Sequence, residues 1–546
     1  MTQLQTYIQK VVEQSFGQDF EVVLTRPDAQ FGDYATNISL QLAKSLNKNP
    51  RDIAAEIVAQ LTHDDIKKTE VAGPGFINIW LSDTALAYEA QRLPQPKTSY
   101  QTIVIETNNP NPFKAMHIGH AFNAIVADTI ANLLDLSAAT VHRVSYHGDI
   151  GLHVGKSMYS LLHYCDGNPA RLMEIPEGER NSFMNRMYAD GAKAYEENGS
   201  LKAKIDHLAQ LSFTLGDPLY KKIYEIIKSW SFDDINVIVA RLGNTPIEKR
   251  YLESQADARG VQIVKTHTPS VFKHSDDAYV FEGSKHGAFD NVFIASHGRG
   301  LYGARDLGLM QLKYDDFHPE KSYIVTAEEQ RDYFRGVIAA AELCMPEMKD
   351  ITVNISHGTV KLTTGKMSSR KGDVLEISWL FDQISAAIEA RRGIPNDELI
   401  AGALRYQFLR VRVGADVVFD VKEAVTLQGN SGPYLQYAHA RACSILNKAR
   451  TEQALFPHIK FDASERALVR KLGEYASIVE LSASELLPHH ICHYLYELAQ
   501  EFNRFYEQSR IIGDPREAER LTIVSIYRET LARGLAILGI HAPENM

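Results

Sequence analysis

Apolar residues recur at helical spacing in LQTYIQKVVEQSF near the start of the chain, and again in ISLQLAKSL and DIAAEIVAQL. Positions i, i+3, i+4 and i+7 share one face of a helix, so each segment predicts an amphipathic helix. Asp33-Tyr34-Ala35-Thr36-Asn37 leads into the second helix, and Asn49-Pro50 breaks the chain before the third. The period then changes to two in VAGPGFINIWL, where Gly73-Pro74-Gly75 predicts a turn that opens a strand. Residues 1–95 are therefore expected to form a small α+β domain. The prolines and polar residues of RLPQPKTSYQ, at 92–101, mark a linker behind it.

A different pattern follows. TIVIET, at 102–107, is a short β-branched run of the kind buried in parallel sheets. It precedes a Pro/Asn loop and a long helix from about Gly119 to Leu136. Strand, loop and helix predict the opening unit of a doubly wound, Rossmann-like α/β domain spanning 101–393. VHRVSYHGD supplies its second strand and exit loop, and NVFIAS, SYIVTA and ITVNISHG its later strands. The stretch at about 156–260 is mostly helical and reads as an insertion. Beyond Gly393-Ile394-Pro395-Asn396 no convincing strand appears, so 396–546 is expected to be an all-α bundle.

Composition narrows the class. A chain of 546 residues with 45% hydrophobic and 23% charged residues fits a multidomain soluble protein. No apolar run approaches the roughly 20 residues of a membrane span. The N-terminus carries acids and lacks a basic, apolar leader pattern, so a cytoplasmic location is expected. Cys165, Cys344, Cys443 and Cys492 lie far apart, which suggests neither a zinc knuckle nor a disulfide framework. The net charge of −10 runs against the usual basic footprint of nucleic-acid binders, although a large acidic protein can still carry local basic patches.

Two short motifs carry the chemistry. Met116-His117-Ile118-Gly119-His120 sits directly after the first parallel strand, at the start of the long helix. Ligands of doubly wound sheets bind beyond the carboxyl ends of the strands, and a helix N-terminus there favours phosphate. Gly119 permits close approach of an adenine ring, and His117 and His120 can donate to phosphates as charge builds on phosphorus. The plainer reading is a pair of helix-cap histidines. Lys366-Met367-Ser368-Ser369-Arg370 lies in a Gly/Ser/Lys-rich segment after ITVNISHG, where Lys366 can reach a phosphate as a point charge. Its plainer reading is a solvated charged turn. The two motifs together, in this order, favour a nucleotide site closed from both sides. No G-x-x-x-x-G-K-[ST] run supports a P-loop enzyme.

Nearly the whole chain resembles the arginyl-tRNA synthetases of class I. The resemblance rests on VIETNNPNPFKAMHIGHA, YHGDIGLHVGK, GLYGARDLG, SGPYLQYAHARACSIL and the amino-terminal VAGPGFINIWL. It implies an arginine–tRNA ligase that uses ATP with Mg²⁺, forms arginyl-adenylate and loads arginine tRNA, with no tightly bound metal of its own. It implies a monomer that needs bound tRNA for activation. A cysteine-specific synthetase is disfavoured by the lack of clustered Cys/His zinc ligands. A non-catalytic tRNA-binding relative is disfavoured by intact His117, His120 and Lys366.

The resemblance also distributes roles. His117, Gly119, His120, Lys366, Met367 and Ser368 would contact ATP. Asp306 would take the guanidinium fork of arginine while Tyr302, spaced i, i+4, adds a hydroxyl from the same helix face. Glu106 would supply a second carboxylate, Asn111 and Gln330 would hold the substrate's amino end, and pairing of Asp306 with Arg305 is the competing possibility. Ser369 stands where the loop usually carries a second lysine. Lys114 is the expected catalytic substitute, with Arg370 and Lys371 as rivals. Phe76 and Asn78 would touch the tRNA D-loop, and Tyr437 and Arg441 would contact tRNA from the helical domain. His489, His490, Cys492 and His493 do not share one helix face, so structural roles are expected for them. The aromatic residues of HYLYELAQEFNRFYEQ are expected in the core of the bundle, with one or two exposed.

Overall fold

In the computed structural model, which describes residues 3–197, 199–363, 375–449, 452 and 460–546, the amino-terminal segment builds helices around a three-stranded antiparallel sheet. Its strands are β1 (Tyr34–Thr36), β2 (Ile66–Ala72) and β3 (Phe76–Leu81), in the order β1-β3-β2. The Gly73-Pro74-Gly75 turn joins β2 to β3 so that Ala72 faces Phe76. At Gly75, φ is +140° and a Cβ would meet Pro50 at 2.9 Å, so only glycine fits. Asn49 caps the helix Pro50–Gln60 by accepting from the Arg51 N–H, as the Asn-Pro breaker predicts.

The second domain is organised by five parallel strands in the order β11-β10-β4-β5-β6. They are β4 (Thr102–Glu106), β5 (Thr140–His147), β6 (Lys249–Leu252), β10 (Lys321–Ala327) and β11 (Thr352–His357). Three shorter strands, β7 (Phe272–Ser275), β8 (Ala278–Phe281) and β9 (Asn291–Ile294), form a separate antiparallel sheet. NVFIAS therefore belongs to that sheet and not to the parallel one. The expected insertion is also shorter than 156–260. Its helices are Leu152–Cys165, Arg180–Glu197, Gly199–Leu211 and Pro218–Arg241, but Lys249–Leu252 pairs with β5 as an edge strand of the main sheet. Two cations in the four residues KRYL hide that strand from an apolar pattern.

The carboxy-terminal region is helical with one exception. β13 (Val417–Phe419) pairs parallel with β12 (Val360–Leu362) of the preceding domain, so the expectation of no strand beyond residue 396 is corrected. Three residues are too few to show a period. Tyr494, Phe502 and Phe505 of the helix His489–Gln508 are buried and Tyr506 is exposed, as the aromatic pattern predicts. Cys492 is buried too, His490 pairs with Glu485 and His493 bonds the Arg410 carbonyl, which are the structural roles expected.

The three regions pack against one another. Arg466 of the helix Ala463–Leu472 bonds Asp33 at 2.6 Å and Asp83 at 2.7 Å, and Arg92 in the linker pairs with Glu480 at 3.2 Å. Deeper, Arg405 and Asp128 form a fully buried ion pair at 2.7 Å between the helices Asp397–Leu409 and Ile118–Asp135. Arg405 also donates to the Leu242 and Leu538 carbonyls, to Asn244 and to Thr129.

Removing one partner of such a pair strands the other charge in the interior. Asp128→Ala is expected to destabilise the protein by about 3–5 kcal/mol. Breaking the exposed Lys48–Glu56 pair, 3.2 Å apart, should change stability by no more than about 1 kcal/mol. Thermal unfolding of the two variants side by side checks this. Equal melting temperatures for both would show that the buried pair does not bear on stability.

Candidate active site

The parallel sheet reverses its strand order between β4 and β10, and the crevice beyond their carboxyl ends is where such sheets bind ligands. A cavity of about 650 Å³ opens there. His357, Gly358 and Thr359 line it from the β11 side, and Tyr146, Gly148 and Glu253 from the β5 and β6 side. Between them lie Glu106 at the end of β4 and Asn111 after it, and Glu329 and Gln330 after β10. A second cavity of about 440 Å³ shares Asn111, Glu253 and Tyr302 with it and extends between the insertion and the helix Tyr302–Phe317.

The N-terminus of the helix Ile118–Asp135 enters the first cavity through His117, Gly119 and His120. His117 is the N-cap. Its Nδ1 accepts the His120 N–H at 3.2 Å, while His120 Nδ1 faces the His117 N–H at 3.4 Å. The two rings stack with centroids 3.5 Å apart. The plain reading of cap histidines is therefore met, and the same pair lines the cavity. The caps also have a chemical consequence. With Nδ1 accepting, a neutral imidazole carries its proton on Nε2, where it can be donated outward. Burial, helped by the Lys114 charge, lowers the His117 pKa to about 4, and burial likewise holds His120 well below its ordinary value. A Cβ at Gly119 would press to 3.1 Å from the His117 ring, so glycine keeps that ring in place.

On the opposite wall, Tyr302, Asp306 and Leu309 reach the cavity from one face of their helix, as the i, i+4 spacing predicts. Asp306 does not pair with Arg305. The Arg305 guanidinium bonds Glu253 at 3.0 Å and Asp257 at 3.2 Å. Asp306 instead accepts a short hydrogen bond from the Tyr333 hydroxyl. Burial pushes its carboxyl up to about 7, against that hydrogen bond and with reinforcement from the Glu106 and Glu253 charges. Tyr302 is 68% exposed, and Gln330 is exposed too.

Glu106 lines the same cavity but is already compensated. Its carboxylate takes a salt bridge from the buried Lys313 at 2.6 Å and a hydrogen bond from Asn109 at 2.7 Å. The expected second carboxylate thus lies in the cavity, already paired with a lysine. Asn111 reaches both cavities, with its Oδ1 accepting the Gly148 N–H at 2.8 Å. Lys114 faces the second cavity, near enough to act on both histidines. Lys366, Met367, Ser368, Ser369, Arg370 and Lys371 lie outside the described residues.

The remaining expected contacts are remote. Phe76 is 40% exposed at the start of β3, whereas Asn78 on the same strand is 6% exposed. Phe76 is thus the accessible member of that pair, and Asn78 is not a surface contact. Tyr437 and Arg441 share one face of the helix Gly432–Lys448, with the Arg441 guanidinium 4.0 Å from the centre of the Tyr506 ring. Sequence reasoning overlooked Tyr146, Glu253, Lys313 and Tyr333. Tyr146 precedes the Gly148-Asp149 segment and Tyr333 follows Gln330 by three residues, so both lay beside segments already singled out. Lys313 meets Glu106 across 207 residues, and no local signal marks such a pair.

Three family descriptions match the chain in succession. They are the arginyl tRNA synthetase N terminal domain at residues 2–81, the tRNA synthetases class I (R) catalytic domain at 83–398 and the DALR anticodon binding domain at 435–546. An arginine–tRNA ligase of Cutibacterium acnes is 28% identical, with 100% of each chain covered. That of Bdellovibrio bacteriovorus is 29% identical over 96% of this chain and 94% of its own. Among solved structures, Thermus thermophilus arginyl-tRNA synthetase superposes with a TM-score of 0.79 at 23% identity, covering 100% of this chain and 99% of its own. The Plasmodium falciparum enzyme gives 0.77 at 19% identity, with 100% and 98% covered. The three descriptions follow one another along nearly the whole chain, and the catalytic one alone spans more than half of it: the chain belongs to the arginyl-tRNA synthetases of class I.

Proposed function

We propose that the chain is an arginine–tRNA ligase whose two half-reactions both take place in the switch-point cavity. The arginine carboxylate attacks the α-phosphorus of ATP, pyrophosphate leaves, and the terminal hydroxyl of arginine tRNA then attacks the acyl carbon of the adenylate. The observation that carries this reading is the pairing, in one cavity, of a histidine-capped helix N-terminus with a carboxylate, Asp306, that has no cationic partner. His117 and His120 donate from Nε2 to the phosphates, and Gly119 leaves room for adenine. Asp306 and Tyr302 receive the guanidinium, and Asn111 and Gln330 hold the α-amino end. Glu106 helps through its negative field while remaining paired with Lys313.

Magnesium travels on the phosphates of ATP, as is usual for an ion that dehydrates reluctantly. Lys366, Met367 and Ser368 close on the nucleotide from the other side, and Lys114 supplies the cation for which Ser369 leaves no lysine. Phe76 stacks on a D-loop base, while Tyr437 and Arg441 meet tRNA in the helical domain. The chain works as a cytoplasmic monomer. Its four cysteines are buried and unpaired, in keeping with a reducing compartment, and no helix among the described residues is long and apolar enough to cross a membrane. Charging of total tRNA with each labelled amino acid in turn should give product with arginine alone.

Asp306→Asn is expected to raise the KM for arginine by about a hundredfold or more, the scale of losing a buried charged partner, and the KM for ATP far less. The wild-type profile adds a second signature. Below pH 7 the empty site holds Asp306 increasingly protonated, since its pKa is raised to about 7, and a neutral carboxyl does not pair with a cation. The arginine KM should therefore rise as pH falls below about 7 and level off above it. The Asn variant should lack this step. An arginine KM untouched by the substitution would remove Asp306 from the site.

Phe76→Ala is expected to weaken tRNA binding about tenfold, the lower range of base–aromatic stacking, with no change in melting temperature. Titration of tRNA binding beside a melting curve decides the matter. A lower melting temperature at unchanged affinity would make Phe76 part of the domain core.

A further inference from the structure

One hydroxyl on the wall of the switch-point cavity has nothing to bond. Tyr146, next to last in β5, packs its ring beside Val104, Tyr251 and Leu309. Its backbone N–H donates to Asn109 Oδ1 at 2.8 Å, and Asn109 in turn donates to Glu106, so its main chain is tied to the β4 side of the cavity. The ring reaches the cavity, yet its Oη is buried and finds no hydrogen-bond partner. The neighbouring tyrosine differs, because the Tyr333 hydroxyl is already given to Asp306. Buried hydroxyls are rarely left unbonded, and one that faces a ligand cavity is completed by the ligand.

The charges around this hydroxyl decide what kind of ligand group completes it. Those acting on Tyr146 are the carboxylates of Asp306, Glu253 and Glu106 and the guanidinium of Arg305. Glu106 is engaged by Lys313 and Asn109, and Glu253 by Arg305. A guanidinium offers five N–H donors and no acceptor. The Asp306 carboxylate can face only part of that fork, having given one oxygen partly to Tyr333. Each remaining N–H needs an oxygen of its own. The Tyr146 Oη, whose lone pairs are unused, can serve as one.

We infer that Tyr146 Oη accepts an N–H of the bound arginine guanidinium and is a specificity-determining residue of this site. The inference rests on the proposal that the cavity binds arginine. It assigns the orphaned hydroxyl, and not a second free carboxylate, as the acceptor that works beside Asp306. A ureido group, which replaces a donor nitrogen with oxygen, would lose this contact. A shorter ammonium would not span Asp306 and Tyr146 together.

The test is Tyr146→Phe in the full chain, which keeps the ring and removes only the acceptor. Charging of tRNA is measured over a range of arginine and of ATP, and melting is followed without ligand. The expected result is an arginine KM raised about tenfold to a hundredfold, with kcat and the KM for ATP within about twofold of wild type. The melting temperature should stay the same or rise, because no bond is lost when an unbonded hydroxyl is removed. An unchanged arginine KM overturns the inference while leaving the arginine site standing, provided the wild type charges arginine. A variant that fails to fold, or that melts lower with arginine and ATP constants moving together, also overturns it, since the hydroxyl would then be structural. Failure of the wild-type chain to charge tRNA with arginine overturns the inference and the reading of the cavity at once.

Discussion

A single buried guanidinium holds the architecture in register. Arg405 is fully buried, and its five N–H groups go to Asp128, Thr129, Leu242, Asn244 and Leu538. Those partners come from the catalytic helix, the return to β6 and the end of the last helix. An ion in the interior is tolerated only when every donor is met and the counter-charge is close, so the three segments have little freedom to shift independently. Gly539 makes the arrangement possible: its φ is +67°, and a Cβ there would fall 2.2 Å from the Arg405 side chain. The helix that carries Asp128 is capped by His117, so the same interaction that seats the carboxy-terminal helices also sets one wall of the switch-point cavity.

Within the cavity, charge is distributed by a similar rule. Three carboxylates, those of Glu106, Glu253 and Asp306, line a cavity proposed to take one cation, and Asp257 lies behind them against Arg305. Lys313 and Arg305 occupy three of these four acids and leave Asp306 with only a tyrosine. An unpaired acid in this surrounding resists ionisation, which is why its pKa rises. The arrangement favours a ligand that brings exactly one positive charge spread over several donors, and it penalises a neutral one. A site with all four acids free would be too repulsive to remain closed without its ligand.

What the sequence revealed, and what it hid, follows from the range of the interactions. The β4–helix unit was legible because TIVIET is apolar on both faces and its loop leads at once into a cap. Tyr302 and Asp306 were legible because helical spacing alone puts them on one face. The edge strand Lys249–Leu252 was not, since its outer positions are charged and its partner lies about 100 residues away. β13 was too short to display a period. The pairing of Glu106 with Lys313, and of Arg305 with Glu253 and Asp257, depends on how distant elements meet, so the spare acid could not be told from the paired ones. Lys366 and its neighbours remain known through their motif.

On the proposed reading the two ends of the site obey opposite requirements, and most of the groups that meet them are uncharged. Phosphate is rich in acceptors, and the helix answers it with N–H groups and two neutral imidazoles whose caps hold the proton on Nε2. Beside the cations proposed from Lys114 and Lys366, such neutral donors gain strength as charge develops during the reaction. A guanidinium is all donors, and the opposite wall answers with hydroxyls around one carboxylate. Adding charge at either end would tighten binding before the reaction begins. Keeping it low leaves more of the interaction for the step in which the arginine carboxylate attacks phosphorus, where it lowers the barrier.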